Sequence, residues 1–170
     1  MSGTATTFLR SEMNKWATFV LSDEKFAVRV EDVQEVLMAQ QLTPIPLAPG
    51  HIVGLLNLRG GLMSVIDLRK RLHFPPRPVR VDEDGVEDGG KLLVVKSDGR
   101  LVGLLVDDIG DVLDLPSEDW RLPPDTLGAR HREFVRVICP VEGEIVMGVD
   151  VDALASKREL ESIRVELSKL

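Results

Sequence analysis

The sequence predicts an all-β fold built from two small barrels of like topology. Two observations carry this reading. Short runs rich in Val, Leu and Ile recur along the chain, and the chain repeats part of itself in a fixed order. The strand-like runs lie at 17–21, 26–30, 55–58, 62–66, 92–96, 101–106, 134–141 and 145–149, punctuated by Gly, Asp and Pro. Short strands with frequent turn signals belong to barrels and sandwiches. In the repeat, V-E-D-V-Q-E-V-L at 30–37 reads like V-D-D-I-G-D-V-L at 106–113. G-G-L-M-S-V-I-D-L at 60–68 reads like G-E-I-V-M-G-V-D-V at 143–151, and S-D-E-K-F at 22–26 like S-D-G-R-L at 97–101. Three matches in one order indicate a duplicated unit.

Size and composition narrow the class. With 170 residues, 44% of them apolar, the chain can bury a sizeable core. Aromatics are 4% and Tyr is absent, so Val, Leu and Ile must fill it. No apolar run approaches the roughly 20 residues of a membrane helix. The first fourteen residues lack a charged-then-apolar signal pattern, so a soluble cytoplasmic protein is expected. The net charge of −7 argues against nucleic acid and anionic lipid. Cys139 is the single cysteine; it lies in an apolar run and reads as a buried, inert thiol. His51, His73 and His131 stand far apart, with no metal-type spacing, and read as surface or loop residues. No metal and no cofactor are expected.

Along the chain, the most informative stretch is 54–69, G-L-L-N-L-R-G-G-L-M-S-V-I-D-L-R. Two apolar runs flank Gly60-Gly61, which reads as a tight hairpin turn. Arg59 then sits just before the turn, placing a rigid five-donor cation at the tip, suited to docking another protein. The alternative is a solvated turn arginine. Asp67 can cap a helical turn at 68–72, and Asp150 or Asp152 another at 153–155. The two carboxylates at 67 and 150 would pair only if the barrels were apposed, and capping is preferred. Glu31-Asp32 and Asp107-Asp108 mark turns after strands. No activated nucleophile, phosphate loop or metal triad is present, so an enzyme is not expected.

Boundaries follow from these elements. A first barrel spans about 15–74 and a second about 91–152. A proline-rich, then acidic and glycine-rich linker at 75–90 is solvated and mobile. Together they form one unit, 15–155. The segment 156–170 opens on a capping box, Ser156 and Glu159, and carries Leu160, Ile163, Leu167 and Leu170 on one stripe. This helix is expected to pack on its own barrel, with binding to another helix as the alternative, and to be dispensable for the barrels.

The order of these features resembles the CheW family, the coupling proteins of bacterial chemosensory arrays. The resemblance covers roughly 16–154. Its most specific part is G-L-L-N-L-R-G at 54–60, followed by V-I-D-L-R at 65–69. D-V-Q-E-V at 32–36, Pro46 and Pro49, V-G-L-L-V-D at 102–107 and D-V-L at 111–113 also fit the family's order. The resemblance implies two five-stranded SH3-like barrels and no catalysis. It implies an adaptor that couples the cytoplasmic tip of chemoreceptors to the regulatory domain of a CheA-type histidine kinase. Such an adaptor is monomeric alone, does not insert in the membrane and is recruited to receptor arrays. A related pathway, such as type IV pilus motility, or a detached kinase regulatory domain are the alternatives. Carried over residue by residue, Arg59, Asn57 and Gly60 match the NLRG motif, with Val33, Glu35 and Val102 as further partner-binding positions. The chain departs from the family at Ser64, where Pro is common, and at Asp108, where Gly is frequent.

Overall fold

A computed structural model describes residues 14–168 and, in the last helix, the side chains of 158–161, 163 and 168. Ten strands form among the described residues. The first half supplies β1 (Lys15–Leu21), β2 (Glu24–Arg29), β3 (Val33–Met38), β4 (Ile52–Leu58) and β5 (Gly61–Asp67). The second supplies β6 (Lys91–Ser97), β7 (Arg100–Val106), β8 (Asp108–Asp114), β9 (Val135–Val141) and β10 (Glu144–Val149). The helices are α1 (Leu68–Arg71), α2 (Ala129–Arg132), α3 (Val151–Ala155) and α4 (Lys157–Ser168).

Two five-stranded sheets result, ordered β8-β1-β2-β10-β9 and β3-β6-β7-β5-β4. Replacing each strand by its counterpart in the other half converts one order into the other, as a duplicated unit requires. Each sheet curls until its ends meet: Thr43, after β3, pairs with Leu55 of β4, and Arg121, after β8, pairs with Ile138 of β9. The barrels are not the sequence halves, however, which corrects the boundaries 15–74 and 91–152. The hairpin β1–β2 joins β8 and β10, and the hairpin β6–β7 joins β3 and β5, through parallel contacts β2–β10 and β5–β7. The repeat specifies what each hairpin pairs with but not which copy supplies the partner.

Interleaving explains the apolar runs. In β6, Leu92 and Val94 point into their own barrel with Leu56, Met63 and Val65. Leu93 and Val95 point the other way, into a core shared with Phe19, Phe26, Val135 and Val149 of the other sheet. Strand side chains alternate faces, so a strand buried on both reads as continuous hydrophobics. The other barrel is filled by Trp16, Ala27, Trp120, Val137, Cys139 and Val146. Strands β3 and β8 fall outside the sequence-expected runs. Both are sheet edges with exposed positions, V-Q-E-V-L-M and D-I-G-D-V-L-D; the turn expected at Glu31-Asp32 falls just before β3, in a 3-10 turn at Val30–Asp32, and that at Asp107-Asp108 at the start of β8.

Asp67 accepts from the Arg69 N–H at 2.9 Å and caps α1, as expected. Asp150, rather than Asp152, caps α3, accepting from Asp152 and Ala153. The linker is exposed, as expected, and is tethered at its start. Arg69 is buried and grips Asp107 with Nε at 2.8 Å and Nη2 at 2.5 Å, while its Nη1 donates to the Pro75 carbonyl. Arg77 adds a second ion pair to Asp107 at 3.0 Å, and the Ser22 N–H donates to the same carboxylate at 2.7 Å. Burial alone would raise the Asp107 carboxyl. The hydrogen bonds from Arg69 and Ser22, with the charges of both arginines, outweigh it and hold the group below its ordinary value.

The C-terminal helix packs on its own chain. Ile163 is 4% exposed and belongs to the shared core, with Leu160 packed against it, so α4 shares in the core. Leu167 and Leu170 lie outside the described side chains. The capping box does not form between its two members. Glu159 turns instead to His51 Nε2 at 2.6 Å and Arg71 Nη1 at 3.4 Å, and Ser156 takes φ 45° at the joint after α3. Two histidines are thus tertiary ties rather than surface residues: His51 holds α4, and His131 stacks on Phe26 and meets Glu24 at 3.0 Å. Cys139 is buried, and burial pushes its thiol up, away from thiolate chemistry.

Candidate interaction site

The β4–β5 hairpin builds the site. Its central turn residues are Arg59 (φ 53°) and Gly60 (φ 83°), between the paired Leu58 and Gly61. Two successive left-handed residues make a type I′ turn, whose twist matches that of the flanking strands. The turn is therefore Arg59-Gly60 rather than Gly60-Gly61, and Gly61 opens β5. Asn57 closes it, its Oδ1 accepting from the Gly60 N–H at 3.1 Å. A left-handed arginine is disfavoured, so Arg59 stands at the apex of the turn at a conformational cost.

The Arg59 side chain is 76% exposed and reaches Glu35 Oε2 at 2.8 Å. That ion pair ties the tip to edge strand β3. Exposed pairs contribute only about 0–1 kcal/mol, so its effect is on orientation more than stability. Asn57, Arg59, Gly60 and Glu35 thus come together. Val33 is half-buried and packs on the shared core beneath them. Val102 is 1% exposed and pairs with Val95 and Ser64 in central strand β7, and it lines the groove beside the tip while remaining almost wholly buried.

Sequence reasoning missed the apolar part of this face. Leu62 is 68% exposed beside the tip, and Leu101 of β7 is also exposed. Together with Leu55, Leu58, Met63 and Arg100 they flank an open groove of about 540 Å³, and Leu160 and Ile163 of α4 complete it. An exposed leucine one residue after a turn was the available signal. Leu62 and Leu101 stand on adjacent strands, which a linear reading does not bring together.

The duplication places a counterpart on the other barrel. There Glu142 (φ 49°) and Gly143 (φ 80°) form the turn, and exposed Ile145 stands where Leu62 does. A groove along Ile138, Ile145 and Met147 is edged by Asp23, Glu24, Lys25 and Glu144, with Pro124 and Leu127 as its far wall. One tip carries Arg and the other Glu, so two copies of one shape differ in sign.

Asp67 and Asp150 are helix caps, Asp150 also meeting Arg136 at 3.4 Å, and among the described residues no three His, Cys, Asp or Glu residues cluster to hold a metal. No described helix is long and apolar enough to cross a membrane. Paired barrels with exposed apolar tips define a protein-interaction module. Residues 15–159 match the CheW-like domain family, and the chain belongs to that family of chemosensory scaffold proteins. It is 30% identical over 144 residues to Chemotaxis protein CheW of Rhizobium meliloti (strain 1021), covering 85% of this chain and 88% of that one. It is also 30% identical over 106 residues, 62% of each chain, to Protein FrzA of Myxococcus xanthus. Among solved structures, the scaffolding protein TtCheW from Thermoanaerobacter tengcongensis superposes with a TM-score of 0.73 at 26% identity, covering 85% of this chain and 94% of that one.

Proposed function

We propose that this chain is a non-catalytic adaptor that couples the cytoplasmic tip of chemoreceptors to the regulatory domain of a CheA-type histidine kinase. The observation that carries the proposal is the Arg59 tip, held by Asn57 and Glu35 beside an open apolar groove, on a chain of the CheW-like family. On this reading the protein works in the cytoplasm, is monomeric alone and gathers at receptor arrays through several modest contacts, whose linkage gives strength without tight self-association. The likeness to Protein FrzA, a relative not named as a chemotaxis protein, favours one second reading. That reading is an adaptor of a related chemosensory pathway, such as one driving type IV pilus motility, and neighbouring genes separate the two.

The test is Arg59→Ala, titrated against a receptor tip fragment and against the kinase regulatory domain. Folding stays within about 0.5 kcal/mol of the parent, because the side chain is exposed. Binding to at least one partner falls by about 2 kcal/mol, the scale of an interface arginine hot spot. Arg59→Lys recovers part of it, since an ammonium lacks the planar fork. A folded Arg59→Ala protein that binds both partners normally overturns the proposal.

A further inference from the structure

We infer that α4 is a wall of the recognition groove, and that the groove takes an amphipathic helix whose apolar stripe is flanked by acidic residues. The inference rests on the adaptor reading above and adds to it which part of this chain reads the partner. The groove has two apolar sides that come from distant parts of the sequence. One is the β4–β5 tip with Leu58 and Leu62; the other is α4 with Leu160 and Ile163; Leu101 stands on the adjoining strand β7. Ile163 is buried in the shared core, but Leu160 is only half-buried, so part of it is left for a partner.

The α4 wall is anchored independently of its apolar contacts. Glu159 meets both His51, at the mouth of β4, and Arg71 of α1, and Arg71 also donates to the Ala153 carbonyl and stacks over Phe134. These ties fix the first turn of α4 against the barrel, so Leu160 is presented at a set distance from the tip. The family match ends at Glu159, the anchor itself.

Charge fixes the occupant. The chain as a whole carries −7, yet the charged side chain lining the groove is Arg100 at the start of β7, with Arg59, paired to Glu35, at the neighbouring tip. The counterpart groove on the other barrel is edged by Asp23, Glu24 and Glu144 against the single Lys25, and its far wall is a loop instead of a helix. A helix with acidic flanks is therefore drawn to the first groove and repelled by the second. An apolar stripe between the acids fits against Leu62 on one side and Leu160 on the other, as helix-in-groove recognition requires.

The experiment titrates the full chain with a chemoreceptor tip fragment, comparing the parent with Leu62→Ser, Leu160→Ala and the double variant, each checked by thermal melt. The inference expects Leu160→Ala to weaken binding about fivefold to tenfold while remaining folded. It also expects the double variant to fall short of the product of the single effects, since one helix touches both sides. Binding of the fragment should weaken as salt rises, and Arg100→Glu should weaken it further. If Leu160→Ala leaves affinity unchanged while Leu62→Ser lowers it, the adaptor reading stands and the α4 wall is refuted. If Leu160→Ala raises affinity, α4 is a cover that competes with the partner, and the inference is equally refuted. If neither Leu62→Ser nor Arg59→Ala has an effect, the adaptor site itself fails. Should Leu160→Ala melt early, Leu160→Met keeps the volume and tests the contact by shape alone.

Discussion

Asp107→Asn tests what binds the two barrels and the linker into one body. Asp107 collects Arg69, Arg77 and the Ser22 N–H, and Arg69 passes the tie on to the Pro75 carbonyl. The Arg69 side chain is 9% exposed and the Asp107 side chain 17%, so removing the anion leaves a largely buried cation without its counter-charge. Breaking such a pair costs about 3–5 kcal/mol. The amide can still accept one hydrogen bond, which places the expected loss near 3 kcal/mol. At roughly 2–4 °C per kcal/mol for a chain of this size, Tm drops by roughly 6–12 °C. The pH dependence adds a second readout. The folded carboxyl titrates below its unfolded value of about 3.9, so its stabilisation is complete above that value. It is lost as pH falls through the lower, folded pKa. Parent and variant should therefore differ fully at pH 7 and converge in acid, measured by urea unfolding from pH 7 to pH 3. A difference under about 1 kcal/mol at pH 7, the size of an ordinary surface pair, refutes the clasp.

Three further outcomes follow from the same geometry. Arg59→Gly relieves the left-handed turn residue and should hold or raise stability by up to about 1 kcal/mol in thermal melts while weakening partner binding, separating the two roles of one position. Gly148→Ala should cost about 1–3 kcal/mol by chemical denaturation, because a Cβ there would stand 2.7 Å from Val137 Cγ2 and 3.1 Å from the Trp120 ring. Truncation before Lys157 should lower stability by about 3 kcal/mol, the burial of Ile163 and part of Leu160, and an unchanged melt would show that α4 adds nothing to the core.

The local elements were legible because their causes are local. Alternation and turn chemistry marked eight of the strands, the helix cap at Asp67 followed from position with Asp150 one of two candidates for the other, and the repeat announced two like units. Strands β3 and β8 were not recognisable as strands. Half or more of their residues face solvent at a sheet edge, so neither carries the apolar run that marked the others. The pairing of hairpins across the halves was illegible for a different reason: equivalent copies present equivalent edges. At the site, Asn57, Arg59 and Gly60 stood out through the NLRG resemblance and Glu35 through the D-V-Q-E-V segment. Leu101 and Leu160 did not, since only the closed barrel and the Glu159 anchor carry them to Leu62. Val102 was named only through the resemblance; β7 is a central strand, which buries it at the groove's lining.

The exchanged hairpins also bear on how the molecule comes into being. During synthesis β1–β2 has no lasting seat until β8 and β10 have left the ribosome, more than eighty residues later. Contacts of such separation must meet the entropy of long-loop closure before they gain anything, which slows folding. Neither half should be a foldable fragment, yet each holds the edges the other lacks. Two separately produced pieces cut in the exposed linker should therefore find one another and assemble into the intact body, a split reporter already present in the topology.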